Sequence, residues 1–202
     1  RIKQIFRHVI SFESNDPPIA TTEQEIFPYW SFTKCVISIL ALRLAEAGKV
    51  QIDKKLPEQP FTLRQLLNHT SGLPDYYSLP EYQRAVAGGQ KPWHRDELLQ
   101  RTMAQGMQFN PGTNWLYSNL GYMIAREAVE RAGEAPLSSL VAGIMKQELG
   151  LEGVELAERP EEFRRVFWNG AQNYHPGWVY HGCLTGTARD VNRRSIGTPY
   201  RR

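Results

Sequence analysis

Residues 31–48, Ser31-Phe-Thr-Lys34-Cys35-Val-Ile-Ser-Ile-Leu40-Ala-Leu-Arg-Leu-Ala45-Glu-Ala-Gly48, decide how the rest of the chain is read. Cys35, Val36, Ile37, Ile39, Leu40, Ala41, Leu42, Leu44, Ala45 and Ala47 cover nearly the whole circumference of a helix over 32–47, and Gly48 supplies its stop. A helix apolar all round is expected to be a buried one. The odd residue is Lys34, three positions after Ser31, so that both side chains project from one face a turn apart. Desolvation and the positive end of the helix dipole both push its pKa below the usual value of about 10.4. That is what a general base, or the activator of one, needs. Ser31 would hold its hydroxyl beside the amine, with its backbone N–H aimed where an oxyanion develops. The plain alternative is that Ser-x-x-Lys arises about once by chance in a chain this long, and that serine is an ordinary N-cap. Location at the mouth of the most apolar helix favours the chemical reading.

Upstream, the alternating run Ile5–Phe12 and the turn residues Asn15 to Pro18 read as a strand or two. Downstream, Thr62 caps a helix from Leu63 to Asn68, which breaks at His69-Thr-Ser-Gly-Leu-Pro74. A polar, Gly/Pro-punctuated stretch follows to about Pro92, and further helices are expected over Asp96–Gln105, Leu120–Ala132 and Leu137–Leu149. Arg159–Val179 reads as loop and extended structure, in which Trp168, Tyr174, Trp178 and Tyr180 are expected to pack rather than to line a pocket.

Composition bounds the function. The 202 residues, 41% hydrophobic with 8 Phe, 9 Tyr and 5 Trp, can bury one sizeable core and are not a solvated tail. No apolar run approaches the ~18 residues of a membrane span. The net charge of +3 is unevenly placed: residues 189–202 hold five arginines and one aspartate, a local +4 that leaves −1 for residues 1–188. Without an interleaved aromatic platform, such an end reads as solvated, and no nucleic-acid partner is expected. Cys35 and Cys183 form neither a metal motif nor a disulfide framework. His8, His94, His175 and His181 lack metal-ligand spacing and read as surface or loop residues, so neither metal nor cofactor is expected. No secretion signal is visible in the charged N-terminus, which opens without methionine, and the compartment stays unassigned.

Tyr117-Ser118-Asn119, in a loop before a helix, is the second chemical element. A phenol near an ammonium is stabilised as phenolate and can take a serine proton, while an Asn amide can orient the lysine or hold a carbonyl. The alternative is a core aromatic followed by an N-cap Asn.

Ser31-Phe-Thr-Lys34, Leu44-Ala-Glu-Ala-Gly-Lys49, Phe61-Thr-Leu-Arg-Gln-Leu-Leu-Asn-His-Thr-Ser-Gly-Leu-Pro74, Pro111-Gly112 and Tyr117-Ser-Asn-Leu-Gly-Tyr122 together resemble the family of class C β-lactamases, D-alanyl-D-alanine peptidases and serine esterases. Order and spacing agree from about Phe27 to Arg193. The resemblance implies Ser31 as nucleophile, Lys34 and Tyr117 as the proton-transfer pair, Asn119 as a substrate and network contact, and His69–Pro74 as a structural turn. It implies an α+β, β-lactamase/transpeptidase-like fold: an antiparallel sheet with flanking helices, from residues 1–55 and 181–202, and a helical region, 56–180, with the site between them.

The family's third element, a Lys- or His-centred triplet ending in Gly, has only Leu184-Thr185-Gly186 as a candidate, with Leu in the basic position. Gly182-Cys-Leu-Thr-Gly-Thr-Ala-Arg-Asp190 better resembles the family's earlier Gly-Gly-Leu-x-Ser-Thr-Ala-x-Asp-Leu turn, so the sheet is expected to be incomplete at its C-terminal end. The function so implied is a serine hydrolase acting by acyl transfer on a small-molecule ester, amide or β-lactam carbonyl. The alternative is a catalytically impaired remnant or binding module lacking the final strands. The stretch Leu79–Trp93 is expected at the rim of the site, and oligomeric state is not readable.

Overall fold

The computed structural model describes residues 25–148, 152–188 and 190. Among them, three short strands make one antiparallel sheet in the order β1 (Ile26–Pro28), β3 (Cys183–Thr187), β2 (Glu155–Ala157). The central β3 sets Thr187 opposite Ile26 and Cys183 opposite Ala157. Helices supply most of the remainder, giving the α+β architecture that the sequence implied. Strand β2 arises inside the stretch 56–180, which reads as helical; three residues are too few for period-two alternation to show. The strand expected over Ile5–Phe12 and the arginine-rich tail lie outside the described residues, apart from Asp190.

Strand β1 passes into α1 (Thr33–Glu46) through a single 3-10 turn, Trp30–Phe32. Trp30 adopts a left-handed φ of 42°, a conformation that costs a non-glycine residue about 1–3 kcal/mol. Edge-on contacts from Phe163, Trp168 and Tyr174, at 5.5, 6.0 and 5.2 Å, hold its ring there. Two bonds tie the junction to the central strand: Tyr29 N–H donates to the Leu184 carbonyl at 2.6 Å, and Leu184 N–H donates to Thr33 Oγ1 at 3.0 Å. Ser31, lying between Tyr29 and Thr33, is therefore fixed relative to the sheet from both sides.

Helix α1 buries Thr33, Lys34, Val36, Ile37, Leu40 and Ala41. The expectation of burial on every side is corrected: Cys35 is exposed, and Ile39 and Leu42 are 45% and 46% exposed. An apolar circumference states what a helix can bury, not how many neighbours reach it, and the described elements cover only one side.

Helix α2 (Leu63–Leu67) opens with a capping box: Thr62 Oγ1 accepts from Gln65 N–H while Gln65 Oε1 accepts from Thr62 N–H. Helix α3 (Pro80–Ala87) falls in the stretch read as irregular; it begins on Pro80, where the missing N–H leaves no intrahelical bond unmade. Its Tyr82 packs edge-on against Trp93 and Trp178 and donates its hydroxyl to the Trp178 carbonyl at 2.8 Å. Helix α4 (Arg95–Met103) precedes the longest one, α5 (Asn119–Gly133), which ends on Glu134 in a left-handed conformation, one residue past the glycine stop read from sequence. Helix α6 (Leu137–Ala142) runs into a π turn over Gly143–Glu148. The aromatic-rich stretch contains the one-turn helices α7 (Pro160–Phe163) and α8 (Asn169–Gln172) and a 3-10 turn, Pro176–Trp178. Trp178, fully buried, packs against Tyr82, Trp93 and Tyr180, the packing role expected of it. The core between α1, α2, α5 and the sheet is made of Ile37, Leu63, Leu66, Leu120, Val129 and Leu184.

Candidate active site

Ser31, exposed at the top of the 3-10 turn, is hydrogen-bonded on both sides. Its Oγ lies 2.8 Å from the Tyr117 hydroxyl and accepts from Lys34 Nζ at 3.1 Å. The one-turn spacing along α1 and the loop before α5 thus bring three of the sequence candidates into one line. Ser31 is not an N-cap: no side-chain capping bond is made at the start of α1, which frees Oγ for Lys34 and Tyr117.

Lys34 is only 5% exposed, and its Nζ lies 5.0 and 5.6 Å from the ring centroids of Tyr117 and Tyr122. Burial pushes its pKa from 10.5 down to about 7, against the pull of the Asp75 charge. The lowered lysine is the one that the sequence called for. The phenolate is not: burial pushes the Tyr117 pKa up, and the Ser31 hydrogen bond offsets this only in part. The physical reason is burial, which disfavours the charged form of the phenol just as it disfavours that of Lys34, with the Asp75 charge adding to the rise. Tyr117 is a protonated phenol at neutral pH.

The loop carrying Tyr117 is clamped by His69. His69 has a left-handed φ of 63°, its carbonyl accepts from Leu116 N–H at 3.0 Å, and its Nδ1 accepts from Ser118 N–H at 3.1 Å. Its ring stacks 4.5 Å from Tyr117 and 5.1 Å from Tyr122. Burial, and then the Lys34 charge, push its pKa down to about 4, so Nδ1 stays an acceptor at neutral pH. At the far end of the same turn Gly72 has φ 78°, and a Cβ there would overlap the Phe109 carbonyl oxygen. Tyr122 joins the two helices: its hydroxyl donates to the Leu67 carbonyl at 2.7 Å and lies 3.0 Å from Ser38 Oγ, which donates to the Lys34 carbonyl.

Asn119 is the first residue of α5, and the cap is Ser118, whose Oγ accepts from Gly121 N–H at 2.9 Å and donates to the Pro74 carbonyl at 2.8 Å. Among the described residues Asn119 is held by Asp75 rather than by Lys34: Asp75 accepts the Asn119 N–H at 2.9 Å and its amide Nδ2–H at 3.1 Å. Burial raises the Asp75 pKa, and the two Asn119 bonds oppose the rise.

His181 departs most from its sequence reading. It is 3% exposed, not a surface residue, and its Nε2 lies 3.1 Å from Lys34 Nζ. Burial first, then the charges of Lys34 and Arg126, hold its pKa well below the usual imidazole range. Its neighbours in sequence gave no sign, because a buried contact across 147 positions leaves no local pattern. His69, Asp75 and Ser118 were findable: all three lie in or beside motifs that the sequence already marks. His94 is exposed, and His175 Nδ1 accepts from Gly177 N–H in the 3-10 turn. Leu184 of the Leu184-Thr185-Gly186 triplet is fully buried in β3.

The beta-lactamase family model matches residues 3–195. The chain belongs to the beta-lactamase family. Among curated proteins, this beta-lactamase-family chain is 33% identical over 171 residues to the esterase EstB of Burkholderia gladioli, covering 73% of this chain and 43% of that protein. It is 24% identical over 185 residues to penicillin-binding protein 4* of Bacillus subtilis (strain 168), covering 87% and 39%. The D-amino acid amidase of Ochrobactrum anthropi SV3, solved with L-phenylalanine, shares the fold with a TM-score of 0.71 at 24% identity, over 87% of this chain and 55% of that one. The fold is thus β-lactamase/transpeptidase-like, and the chain spans less than half the length of the two curated relatives. Among the described residues no helix is long and apolar enough to cross a membrane.

Proposed function

We propose that the chain carries the acyl-transfer site of a serine hydrolase, with Ser31 as nucleophile, Lys34 and Tyr117 as the proton-transfer pair and Asn119 on the substrate side. The observation that carries this reading is the line of Tyr117 Oη, Ser31 Oγ and Lys34 Nζ at 2.8 and 3.1 Å, exposed at Ser31 and buried at Lys34. A neutral Lys34 takes the Ser31 proton as Oγ attacks the substrate carbonyl, and the resulting oxyanion faces the Ser31 backbone N–H. Tyr117, kept protonated by burial, gives its hydroxyl proton to the leaving group and regains one from the Lys34 ammonium. Water then attacks the acyl-enzyme with the same pair as base, which restores the Ser31 hydroxyl. Asn119 offers the substrate its Oδ1 and its second amide hydrogen, the first being held by Asp75.

The substrate class is a small ester, amide or β-lactam carbonyl, and the esterase relative at 33% identity supports trying activated esters first. Saturable hydrolysis of p-nitrophenyl esters is expected, lost in Ser31→Ala and lowered by about 100-fold or more in Lys34→Ala. A slow, non-saturable rate unchanged in Lys34→Ala would contradict the reading. A second reading is an impaired or binding relative that accepts an acyl group without turnover. Stoichiometric acylation that persists for hours without product release would support it.

A further inference from the structure

His181 sits just ahead of β3, and Lys34 Nζ contacts both it and the solvent-exposed Ser31. Its Nε2 is 3.1 Å from Lys34 Nζ, and the Trp30 backbone beside the ring favours its charged form against the effect of burial. Burying a polar imidazole is a standing desolvation cost, one that an alanine at this position would avoid. The ring's polar contact with Lys34 is what the cost secures.

The geometry constrains the chemistry. A neutral imidazole has one acceptor nitrogen and one N–H. A neutral amine has two N–H groups and one lone pair, and it can rotate freely about its terminal carbon unless something holds one of its hydrogens. We propose that His181 is a positioning residue for Lys34: by accepting one N–H at Nε2, it turns the amine lone pair toward the Ser31 hydroxyl. When the Ser31 O–H bond breaks and the new N–H bond forms, the ammonium keeps donating to Nε2. His181 retains its own single proton on Nδ1 throughout, and the transferred proton passes from Lys34 to Tyr117 once Tyr117 has protonated the leaving group.

The inference rests on the serine-hydrolase reading of Ser31 and Lys34 but adds a residue to it. The groups that face Lys34 are the Ser31 hydroxyl, the Tyr117 and Tyr122 rings, the Asp75 carboxylate, the Cys35 and Cys183 thiols and His69. Those that face His181 are Lys34, Arg126, His69 and the Tyr122 ring. Removing the Nε2 acceptor withdraws a bond made to the ammonium more strongly than to the amine, so the Lys34 titration midpoint moves down.

The test compares His181→Met, similar in bulk with at most a weak acceptor, with His181→Gln, which restores an oxygen acceptor. The Lys34 midpoint is read by NMR of lysine labelled with carbon-13 at Cε, with Lys34→Ala identifying the signal. Acylation by a fluorophosphonate is followed against pH in parallel. His181→Met is expected to lower the Lys34 proton affinity by about tenfold and the acylation plateau by about 10- to 100-fold at unchanged probe saturation, with His181→Gln recovering most of both. His181→Leu takes the place of the methionine variant if circular dichroism shows that the latter is unfolded. A folded His181→Met or His181→Leu with the wild-type midpoint and plateau overturns the proposal, as does a His181→Gln as impaired as they are. Absence of acylation in the wild type would instead strike at the hydrolase reading, while the NMR midpoints would still decide the Lys34–His181 bond.

Discussion

On the proposed reading Lys34 has to lose its charge before it can take a proton, and burial favours that loss, so its state is expected to set both activity and stability. With a pKa pushed down to about 7, acylation of Ser31 is expected to rise through a midpoint near pH 7 on the acid side. Stopped-flow labelling across pH 5 to 9 checks it, and a flat profile would contradict it. The stability consequence has a definite sign. The folded pKa lies below the unfolded value of 10.5, so the unfolded chain binds the extra proton between the two values. The penalty is fully felt below pH 7 and fades as pH rises through 10.5. Lys34→Met should therefore stabilise the protein at pH 6 to 7 by something on the order of a few kcal/mol, and the gain should shrink toward pH 10. Urea melts of both forms at the two pH values measure the difference.

At the scale of elements, the site is a meeting of three starts and turns: the entry to α1, the turn at His69–Pro74 and the entry to α5. Ser118 joins two of them by capping α5 and bonding the Pro74 carbonyl. Ser118→Ala should cost about 1–2 kcal/mol, from the lost cap and the Pro74 oxygen left unpaired, and slow acylation by loosening Tyr117. Denaturant melts and labelling rates test both parts. Gly72→Ala should cost at least about 1–3 kcal/mol, because a left-handed residue there would also meet the Phe109 carbonyl. The same elements show what local sequence reveals. The Ser31–Lys34 spacing, the Thr62 cap and the loop before α5 were readable because each is decided within about one helical turn. Helix α3 was hidden by Pro80, which punctuates a sequence but also opens a helix. His181 and the Asp75–Asn119 pair were hidden because burial and pairing across the fold are decided by tertiary neighbours.

For the whole molecule, the α+β layout and the convergence of Ser31, Lys34 and Tyr117 were legible from motif order, whereas the coverage of α1 was not. Its apolar residues divide into a buried side and an exposed one, which a melting experiment can separate. Ile37→Ala should cost about 2–5 kcal/mol, while Ile39→Ala and Leu42→Ala on the exposed side should each cost well under half of that. Equal losses would mean that the second face is covered in solution. The central claim is that the fold builds one activated serine, and the most direct measurement is intact-mass and peptide mapping after reaction with a fluorophosphonate. One adduct is expected, on Ser31, absent in Ser31→Ala and formed much more slowly in Lys34→Ala and Tyr117→Phe. Equal labelling of wild type and Ser31→Ala, or an adduct mapped to another residue, would contradict it.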